Sequence, residues 1–321
     1  MHRHVLRLLA APLLLCWLSA VHAAYPDKPI KILIGFTPGT TGDVLARLLA
    51  PRLAERLGQA VVVENRPGAG SSIAAEAVAK SPADGYTLLL STSANVINAS
   101  LSNSLKFDFT NDLVPVTLLA ENPALLVVAG NSSVLTLSDL IAAAKLAPGR
   151  MSFGSSGNGT FTHLYGELFN QSAGIKLTHV PYKGSTQAMN DVLAGTVDVS
   201  FTPATPVLGL VKSGKLRALG VIGRERLAEL PDVPTFAEAK VAGFDTALWF
   251  GLNAPAGTPR EVIDRWNSEI QYVLSLPDIR AQLSAKSITA VPLGAAYFRE
   301  LIVQENEKWA RLVKSVGIKA E

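Results

Sequence analysis

The sequence predicts an α/β protein made of two lobes, each with a mostly parallel β-sheet, and three observations predict this class. Short apolar runs alternate with amphipathic stretches almost from end to end, as strands alternate with helices in such folds. The alternation occurs in two consecutive series. The chain has 321 residues, and because a single hydrophobic core stops growing near ~250–300 residues, two lobes are expected.

The first series has apolar residues in succession, which is typical of strands buried on both faces. Its strands are predicted at residues 32–36, 61–64 and 88–91. Leu45, Leu48 and Leu49 share one face of a helix that follows the first strand. Pro51 should kink this helix or make it restart, because an interior proline costs ~3 kcal/mol or more.

The second series repeats this plan. Its strands are predicted at residues 151–154, 177–180, 197–201 and 216–222. Two long amphipathic helices, which contain Trp266 and Trp309, close the chain. No low-complexity linker separates the two series, so we expect the lobes to be joined by strands that cross between them.

The N-terminus has the pattern of a secretory signal. Arg3 and Arg7 supply positive charge, the apolar run 5–18 follows, and small residues stand at Val21 and Ala23, which predicts cleavage after Ala23. The alternative, a membrane anchor, needs roughly 20 apolar residues, and this run is too short. A lipid anchor on Cys16 is not expected, because Leu15 before it is not small.

The composition of the mature chain narrows the function. Removal of 23 of the 321 residues leaves 298, without any cysteine, and reduces the formal net charge from +3 to +1 because Arg3 and Arg7 are lost. The fold must therefore be held by core burial rather than by disulfides. A charge this close to neutral argues against nucleic-acid binding, which needs a basic face.

Three loops after predicted strands are rich in Gly, Ser and Thr and could bind an anion: residues 37–43, 92–95 and 155–160. Ligands of parallel α/β sheets collect beyond the carboxyl ends of the strands. Helix N-termini there offer free amide N–H groups and a partial positive charge, so a carboxylate could bind without Arg or Lys. The alternative is that these loops are ordinary turns with ordinary helix caps.

Signatures of catalysis, cofactors and metals are incomplete. The segment 154–158 lacks the final glycine of a nucleophile elbow, and the segment 68–73 lacks the third glycine of a dinucleotide fingerprint. His163 and His179, which remain after cleavage, have no metal-ligand spacing, and His163 is expected to pack or cap rather than act as a base. Lys183 could attract an anion or simply be a solvated surface lysine. We expect no enzyme activity, no cofactor and no metal.

An ordered series of motifs spans the mature chain: Tyr-Pro-Asp-Lys-Pro-Ile at 25–30, Val-Glu-Asn-Arg-Pro-Gly-Ala-Gly at 63–70, Ala-Asp-Gly-Tyr-Thr-Leu at 83–88, Ser-Ser-Gly-Asn-Gly at 155–159, Pro-Tyr-Lys-Gly at 181–184, Trp-Phe-Gly-Leu at 249–252 and Ala-Pro-Ala-Gly-Thr-Pro at 254–259. The whole series resembles the Bug receptors, the extracytoplasmic solute-binding proteins of tripartite tricarboxylate transporters. No single motif would carry this resemblance.

The resemblance implies a type II periplasmic-binding-protein fold, with two Rossmann-like lobes that close on a small organic acid. It divides the chain into a signal peptide at 1–23, a discontinuous first lobe at 24–120 and 223–321, and a second lobe at 121–222. It also implies a periplasmic monomer that serves membrane permease subunits. The implied first-lobe contacts are Phe36, Thr37, Pro38, Gly39, Thr40, Thr41, Asp43, Thr92 and Ser93. The implied second-lobe contacts are Ser155, Ser156, Gly157, Asn158, Gly159 and Thr160, with His163 in support and Tyr182, Lys183, Thr202, Pro203, Ala204 and Thr205 along the remaining wall.

Two departures from the family pattern bear on the ligand. The family's first loop usually reads Pro-Gly-Gly, whereas Thr40 follows Pro38-Gly39 here. The Cβ of Thr40 narrows the space through which a ligand reaches the backbone, and its hydroxyl adds a hydrogen-bond donor. Many members also have Asp at the position of Thr202. Loss of that carboxylate disfavours an ammonium group, so we expect a di- or tricarboxylate or an aromatic carboxylate without an amine.

Three other functions remain open at the level of sequence. A receptor without its own permease could feed a signalling partner. A secreted hydrolase would need a nucleophile–base pair, which the sequence does not reveal. The effector domain of a transcription factor shares this fold, but it needs a DNA-binding segment where this chain has a predicted signal peptide.

Overall fold

The computed structural model describes residues 25–101, 106–182, 184–245 and 247–317. Its strands are β1 Ile30–Ile34, β2 Val61–Asn65, β3 Thr87–Thr92, β4 Leu113–Asn122, β5 Ala124–Ala129, β6 Ser152–Ser155, β7 Thr178–Pro181, β8 Val199–Pro203, β9 Leu216–Ile222, β10 Leu248–Pro255 and β11 Thr289–Ala290. Its α-helices are α1 Thr41–Leu57, α2 Ser72–Ala79, α3 Ser93–Leu101, α4 Leu137–Leu146, α5 Phe161–Ala173, α6 Ser185–Ala194, α7 Ala204–Lys212, α8 Arg260–Ser275, α9 Pro277–Ser284 and α10 Ala295–Val316. The predicted signal peptide and Lys183 lie outside the described residues. In these ranges we find no helix with the length and apolarity that a membrane span requires.

The strands form two sheets, in the orders β11-β4-β10-β3-β1-β2 and β7-β6-β8-β5-β9. The two predicted α/β units are therefore present. The expectation that the sheets are mostly parallel was wrong: β1 pairs in parallel with β2 and β3, and β6 with β7 and β8, but the other pairings are antiparallel. The reason is that β4, β5 and β10, which the sequence analysis did not identify, all pair antiparallel to their neighbours.

Two passages of the chain connect the sheets. β4 of the first sheet continues through Pro123 into β5 of the second, and the segment after β9 leads back to β10 of the first. Strands therefore do cross between the units, as expected. The carbonyl of Pro123 accepts a hydrogen bond from the Ala204 N–H at 2.9 Å, which places the start of α7 beside the first crossing. The exact lobe boundaries at 120/121 and 222/223 stay a prediction.

An aromatic cluster fills the centre of the second unit. It contains Tyr165 and Phe169 from α5, Phe201 from β8, and Phe236 and Phe244 from the segment between β9 and β10, all fully or almost fully buried. Trp309 of α10 meets the Tyr165 ring edge-on, with 5.5 Å between the ring centroids. Since α10 also packs on α3 and β4, this contact joins the cores of the two units.

The helix α1 passes Pro51 without a restart. It runs unbroken from Thr41 to Leu57, so the expected restart does not occur. Proline removes one backbone hydrogen bond from a helix interior. On either side of it, Leu45, Leu49 and Leu53 are buried, and the packing of this apolar face against the first sheet offsets the loss.

Candidate functional site

The predicted site residues that the structure describes lie at or after the carboxyl ends of strands β1, β3, β6, β7 and β8. Those at least partly exposed are Phe36, Thr37, Pro38, Gly39, Thr40, Ser156, Gly157, Asn158, Thr160, Tyr182, Pro203 and Thr205; those buried are Thr41, Asp43, Thr92, Ser93, Ser155, Gly159, His163, Thr202 and Ala204. The loops of the two units meet: a Cβ built on Gly159 would lie 2.5 Å from Cδ1 of Leu101, the last residue of α3. The second-lobe loop therefore packs against the end of α3 in the first unit. A cleft shared by all the predicted loops, and their contact with a ligand, stay predictions.

Asp43 holds the first-lobe loop together. Its Oδ2 accepts the Gly39 N–H at 2.9 Å, and its Oδ1 accepts from Arg47 Nε at 2.9 Å and from Asn65 Nδ2 at 3.0 Å. Burial alone would raise the pKa of this carboxyl, but the bonds from Gly39, Asn65 and Arg47 outweigh it and lower the pKa below its usual range. Asp43 is therefore ionised, with both oxygens engaged inside the loop.

We expect Asp43→Asn to destabilise the protein by about 2 kcal/mol, because it weakens hydrogen bonds to a charged acceptor. A group with a lowered folded pKa stabilises above its unfolded value of about 3.9, and that contribution is lost as the pH falls through the folded pKa. Urea unfolding at a series of pH values checks this. The difference between wild type and variant should be constant above about pH 5 and shrink below about pH 4. A difference that does not depend on pH would contradict the role of the charge.

The loop between β3 and α3 is supported by Asn95, which lies in the predicted loop 92–95, and by Ser71, which was not among the predicted site residues. Asn95 accepts the Thr92 N–H at 3.0 Å through Oδ1 and donates through Nδ2 to Ser71 Oγ at 3.1 Å. Ser71 follows three residues with positive φ and itself has a φ of 79°. A Cβ on Gly35 would collide with it at 2.0 Å from Oγ. Asn95 and Ser71 thus hold Thr92, Ser93 and the end of β1 in one arrangement.

The second-lobe loop satisfies several of its own backbone N–H groups. Ser156 N–H donates to Thr162 Oγ1 at 2.8 Å, Gly157 N–H to Ser155 Oγ at 3.1 Å, and Gly159 N–H to His163 Nδ1 at 3.1 Å. Such internal bonding fixes the loop, but it removes these amides from the donors expected for a ligand. The donors that remain for an anion are those at the start of α5.

Two helices that follow predicted site loops begin with a threonine whose side chain does not cap them. Thr40 and Thr160 occupy the N-cap positions of α1 and α5 with extended backbones, yet neither side chain accepts a hydrogen bond from a backbone N–H of its helix. Their hydroxyls donate backwards, to Thr37 O at 3.0 Å and to Gly157 O at 2.7 Å. Thr160 Oγ1 also lies 2.9 Å from the hydroxyl of Thr162 in α5. Thr136, which begins α4, instead forms a full capping box. α4 follows β5, which runs antiparallel to β8, so its N-terminus lies at the opposite edge of the sheet.

The starts of α1 and α5 differ in charge, and α6 and α7, which are also uncapped, resemble α5 in having no acidic residue in the first turn. The first turn of α1 contains Asp43, whose negative charge already lies at the positive end of that helix. The first turn of α5 contains no acidic residue. An anion is therefore stabilised more strongly at the start of α5 than at the start of α1.

A serine–histidine pair that the sequence analysis did not find lies below the second-lobe loop. Ser155 Oγ is 2.6 Å from His179 Nε2. Burial lowers the pKa of His179 to about 4, so the ring is neutral at pH 7. The sequence did not reveal this pair, because it depends on the register between β6 and β7. Ser155 is 0% exposed, however, and its Oγ accepts the Gly157 N–H, so the hydroxyl is not presented to a substrate.

Three of the other predicted second-lobe contacts, Tyr182, Thr202 and Thr205, are buried or hydrogen-bonded to neighbouring elements. The Tyr182 hydroxyl donates to Asp191 of α6, and Thr202 is 1% exposed. Thr205 Oγ1 donates to Lys286 O at 2.7 Å and accepts from Asn122 Nδ2 at 3.0 Å. Thr205 therefore links the second sheet's α7 to the loop before β11 of the first sheet.

Comparisons with known proteins agree with this architecture. The sequence pattern of the tripartite tricarboxylate transporter family receptor matches residues 45–318. BugT of Bordetella pertussis (strain Tohama I) is 38% identical over 297 residues, which cover 92% of this chain and 91% of BugT. The structure of R. palustris Rpa4515 with adipate is 34% identical with a TM-score of 0.84, and the match covers 92% of this chain and 99% of Rpa4515. MatC (Rpa3494) from Rhodopseudomonas palustris with bound malate is 27% identical with a TM-score of 0.80, covering 90% of this chain and 100% of MatC.

The periplasmic binding protein BugD is also similar, at 29% identity with a TM-score of 0.82 over 92% of this chain and 100% of BugD. These matches confirm the predicted two-lobed periplasmic-binding-protein fold, although not its mostly parallel sheets. The family match spans most of the chain, and the curated relative is matched over nearly its whole length. The chain belongs to the tripartite tricarboxylate transporter receptor family, whose members are periplasmic solute-binding receptors.

Proposed function

We propose that this receptor captures a small organic acid between its two lobes, with one carboxylate at the N-terminus of α5. The observation that carries the proposal is the uncapped start of α5 directly after the second-lobe loop: the Thr160 hydroxyl donates to the Gly157 carbonyl and accepts no backbone N–H of the helix. Free amide N–H groups in the first turn, without a competing acidic side chain, form a site for an anion.

The bound ligands of two relatives support the ligand class. The R. palustris relative was solved with adipate and MatC with malate, which are both small dicarboxylates. Each charge-assisted hydrogen bond from an amide to a carboxylate contributes ~1.5–3 kcal/mol. A few such bonds, with enclosure between the lobes, suffice for tight capture without a cationic side chain.

An amine on the ligand would have no carboxylate to meet among the described site residues. Thr202 stands where many members have Asp, and it is buried with its hydroxyl turned to the Pro203 carbonyl at 3.4 Å. Asp43, the remaining carboxylate of the predicted set, is bonded through both oxygens within its own loop. The proposed ligand is therefore a di- or tricarboxylate or an aromatic carboxylate that lacks an ammonium group.

The mechanism proposed is capture and delivery, without turnover. The open form binds the acid, and contacts from the second lobe favour closure. The closed receptor, a monomer exported by its signal peptide, presents the acid to the permease subunits of a tripartite transporter. Ser155 and His179 take no part in chemistry, because the serine hydroxyl is enclosed.

Native mass spectrometry of the freshly purified protein, followed by a thermal-shift panel, tests this function. Adipate, malate and benzoate represent the proposed classes, and aspartate and glutamate represent acids with an amine. We expect at least one of the first three to raise Tm and the two amino acids to leave it unchanged. Stabilisation by the amino acids alone would overturn the ligand class, and turnover of simple esters by Ser155 would favour a hydrolase.

A further inference from the structure

His179, which lies outside the predicted site, belongs to a group of side chains directly beneath the second-lobe loop. Phe153 and Ser155 are two residues apart on β6 and thus share a face, and His179 on β7 pairs with Phe153. The His179 ring stacks on that of His163, with 3.8 Å between centroids and 7° between planes. Phe153 stacks on His179 as well, at 4.8 Å.

Each histidine holds one point of the loop. His179 Nε2 contacts Ser155 Oγ at 2.6 Å, and Ser155 Oγ in turn accepts the Gly157 N–H at 3.1 Å. His163 Nδ1 lies 3.1 Å from the Gly159 nitrogen. Because a backbone N–H can only donate, Nδ1 of His163 must be the acceptor and carry no proton.

Both rings must therefore be considered neutral at pH 7. Burial, and to a lesser extent repulsion between the two rings when both are protonated, lower the pKa of His163 to about 4, and burial lowers that of His179 to about 4. Neutral His163 carries its proton on Nε2, which lies 3.9 Å from Glu167 Oε1. Among the described residues, the ionisable groups in these contacts are Glu167 and the two imidazoles themselves.

We propose that His179 and His163 are positioning residues, which as a stacked neutral pair fix residues 155–160 in the form that leaves the first-turn amides of α5 to the ligand. The proposal rests on the function proposed above. His179 acts through Ser155 on Gly157, and His163 acts on Gly159. The carbonyl of Gly157 in turn accepts the Thr160 hydroxyl that would otherwise cap α5, so the pair determines whether the helix start is open.

Matched substitutions separate this role from packing. His163→Phe keeps a ring for the stack but loses the acceptor, whereas His163→Asn loses the ring and keeps an acceptor near the Nδ1 position. His179→Phe and His179→Gln form the same contrast at Nε2. The probe is whichever of adipate, malate and benzoate binds the wild-type protein most tightly, and its Kd is measured by calorimetry.

We expect each Phe variant to weaken binding by at least about tenfold, and the Asn and Gln variants to stay within about threefold of wild type, because the loop bond is kept. In the ligand-free protein, nitrogen-15 NMR should show His163 Nδ1 without a proton. Exchange of the Gly159 amide should be slow in wild type and His163→Asn, and fast in His163→Phe.

Phe variants that bind the acid as tightly as wild type would overturn the positioning role. So would a Gly159 amide that exchanges as slowly in His163→Phe as in wild type and His163→Asn. Asn and Gln variants that bind as poorly as the Phe variants would also overturn it, since the ring stack rather than the acceptor would then matter. If wild type binds none of the three acids, the proposed function fails. The tautomer and the exchange rates still decide, in that case, whether the pair fixes the loop.

Discussion

Gly157→Val should reduce the affinity for the captured acid at least about 100-fold while the protein remains folded. Gly157 has a φ of 127°, a conformation that β-branched residues do not adopt without strain. A Cβ there would also approach Tyr182 O to 3.3 Å. The loop must shift, and with it the carbonyl that holds the Thr160 hydroxyl away from α5. Loss of two charge-assisted bonds, each ~1.5–3 kcal/mol, accounts for the factor.

The matched control is Gly174→Val at the other end of the same helix. Gly174 has a φ of 62° at the C-cap of α5, and nothing lies within 4 Å of a Cβ built there. This change should cost about 1–2 kcal/mol of stability, because an L-residue is strained in the left-handed conformation, and it should leave Kd unchanged. Calorimetric titration of both variants makes the comparison. Equal affinities for Gly157→Val and wild type would remove the second-lobe loop from the binding site.

Phe201→Ala should lower the free energy of unfolding by about 3–5 kcal/mol. Phe201 is 0% exposed, and its ring centroid lies 6.0–6.5 Å from those of Phe153, Tyr165, Phe169, Phe236 and Phe244. Truncation leaves a cavity among rings that cannot all move inward, because they come from α5, β6 and the segment before β10. Urea denaturation monitored by fluorescence measures the loss.

Leu146→Ala is the control for this measurement. Leu146 is 87% exposed at the end of α4, so its truncation should change stability by less than about 0.5 kcal/mol. A loss below about 1 kcal/mol for Phe201→Ala would mean that the aromatic cluster collapses around the gap, and that it does not organise the second lobe.

Much of the fold was predictable because apolar succession marks buried strands. β9 was predicted with its observed bounds, and β2 and β3 within two residues, while β1 begins at Ile30 rather than at 32. β4, β5 and β10 were missed although they are among the most buried segments of the chain. β4 and β5 are hard to recognise as separate strands, because Pro123 alone joins them and no helical pattern lies between them. Their antiparallel pairing, and that of β10, depends on the tertiary fold rather than on the local sequence.

The sequence predicted which loops form the candidate site, but it did not predict the hydrogen bonds that their side chains make. Gly, Ser and Thr after strand ends indicated residues 37–43 and 155–160, yet Asp43 proved to bond inward through both oxygens. The pairing of Ser155 with His179 joins residues 24 positions apart. Both adjacent strands had been predicted, and alternation along them puts these side chains on one face, so that signal was available. The register between β6 and β7, which brings the two side chains within hydrogen-bond distance, could not be predicted from the sequence.

The main chain cannot be substituted, and this has a consequence for how such a receptor changes over generations. If the backbone N–H groups at the start of α5 bind the carboxylate, side-chain mutations around the site change which acid fits. They do not remove the N–H groups that bind the carboxylate. The protein encoded by a duplicated gene can therefore change its ligand through side-chain mutations and still bind a carboxylate at every step. The positions that cannot drift are then the few that keep the helix start open, Gly157 foremost among them.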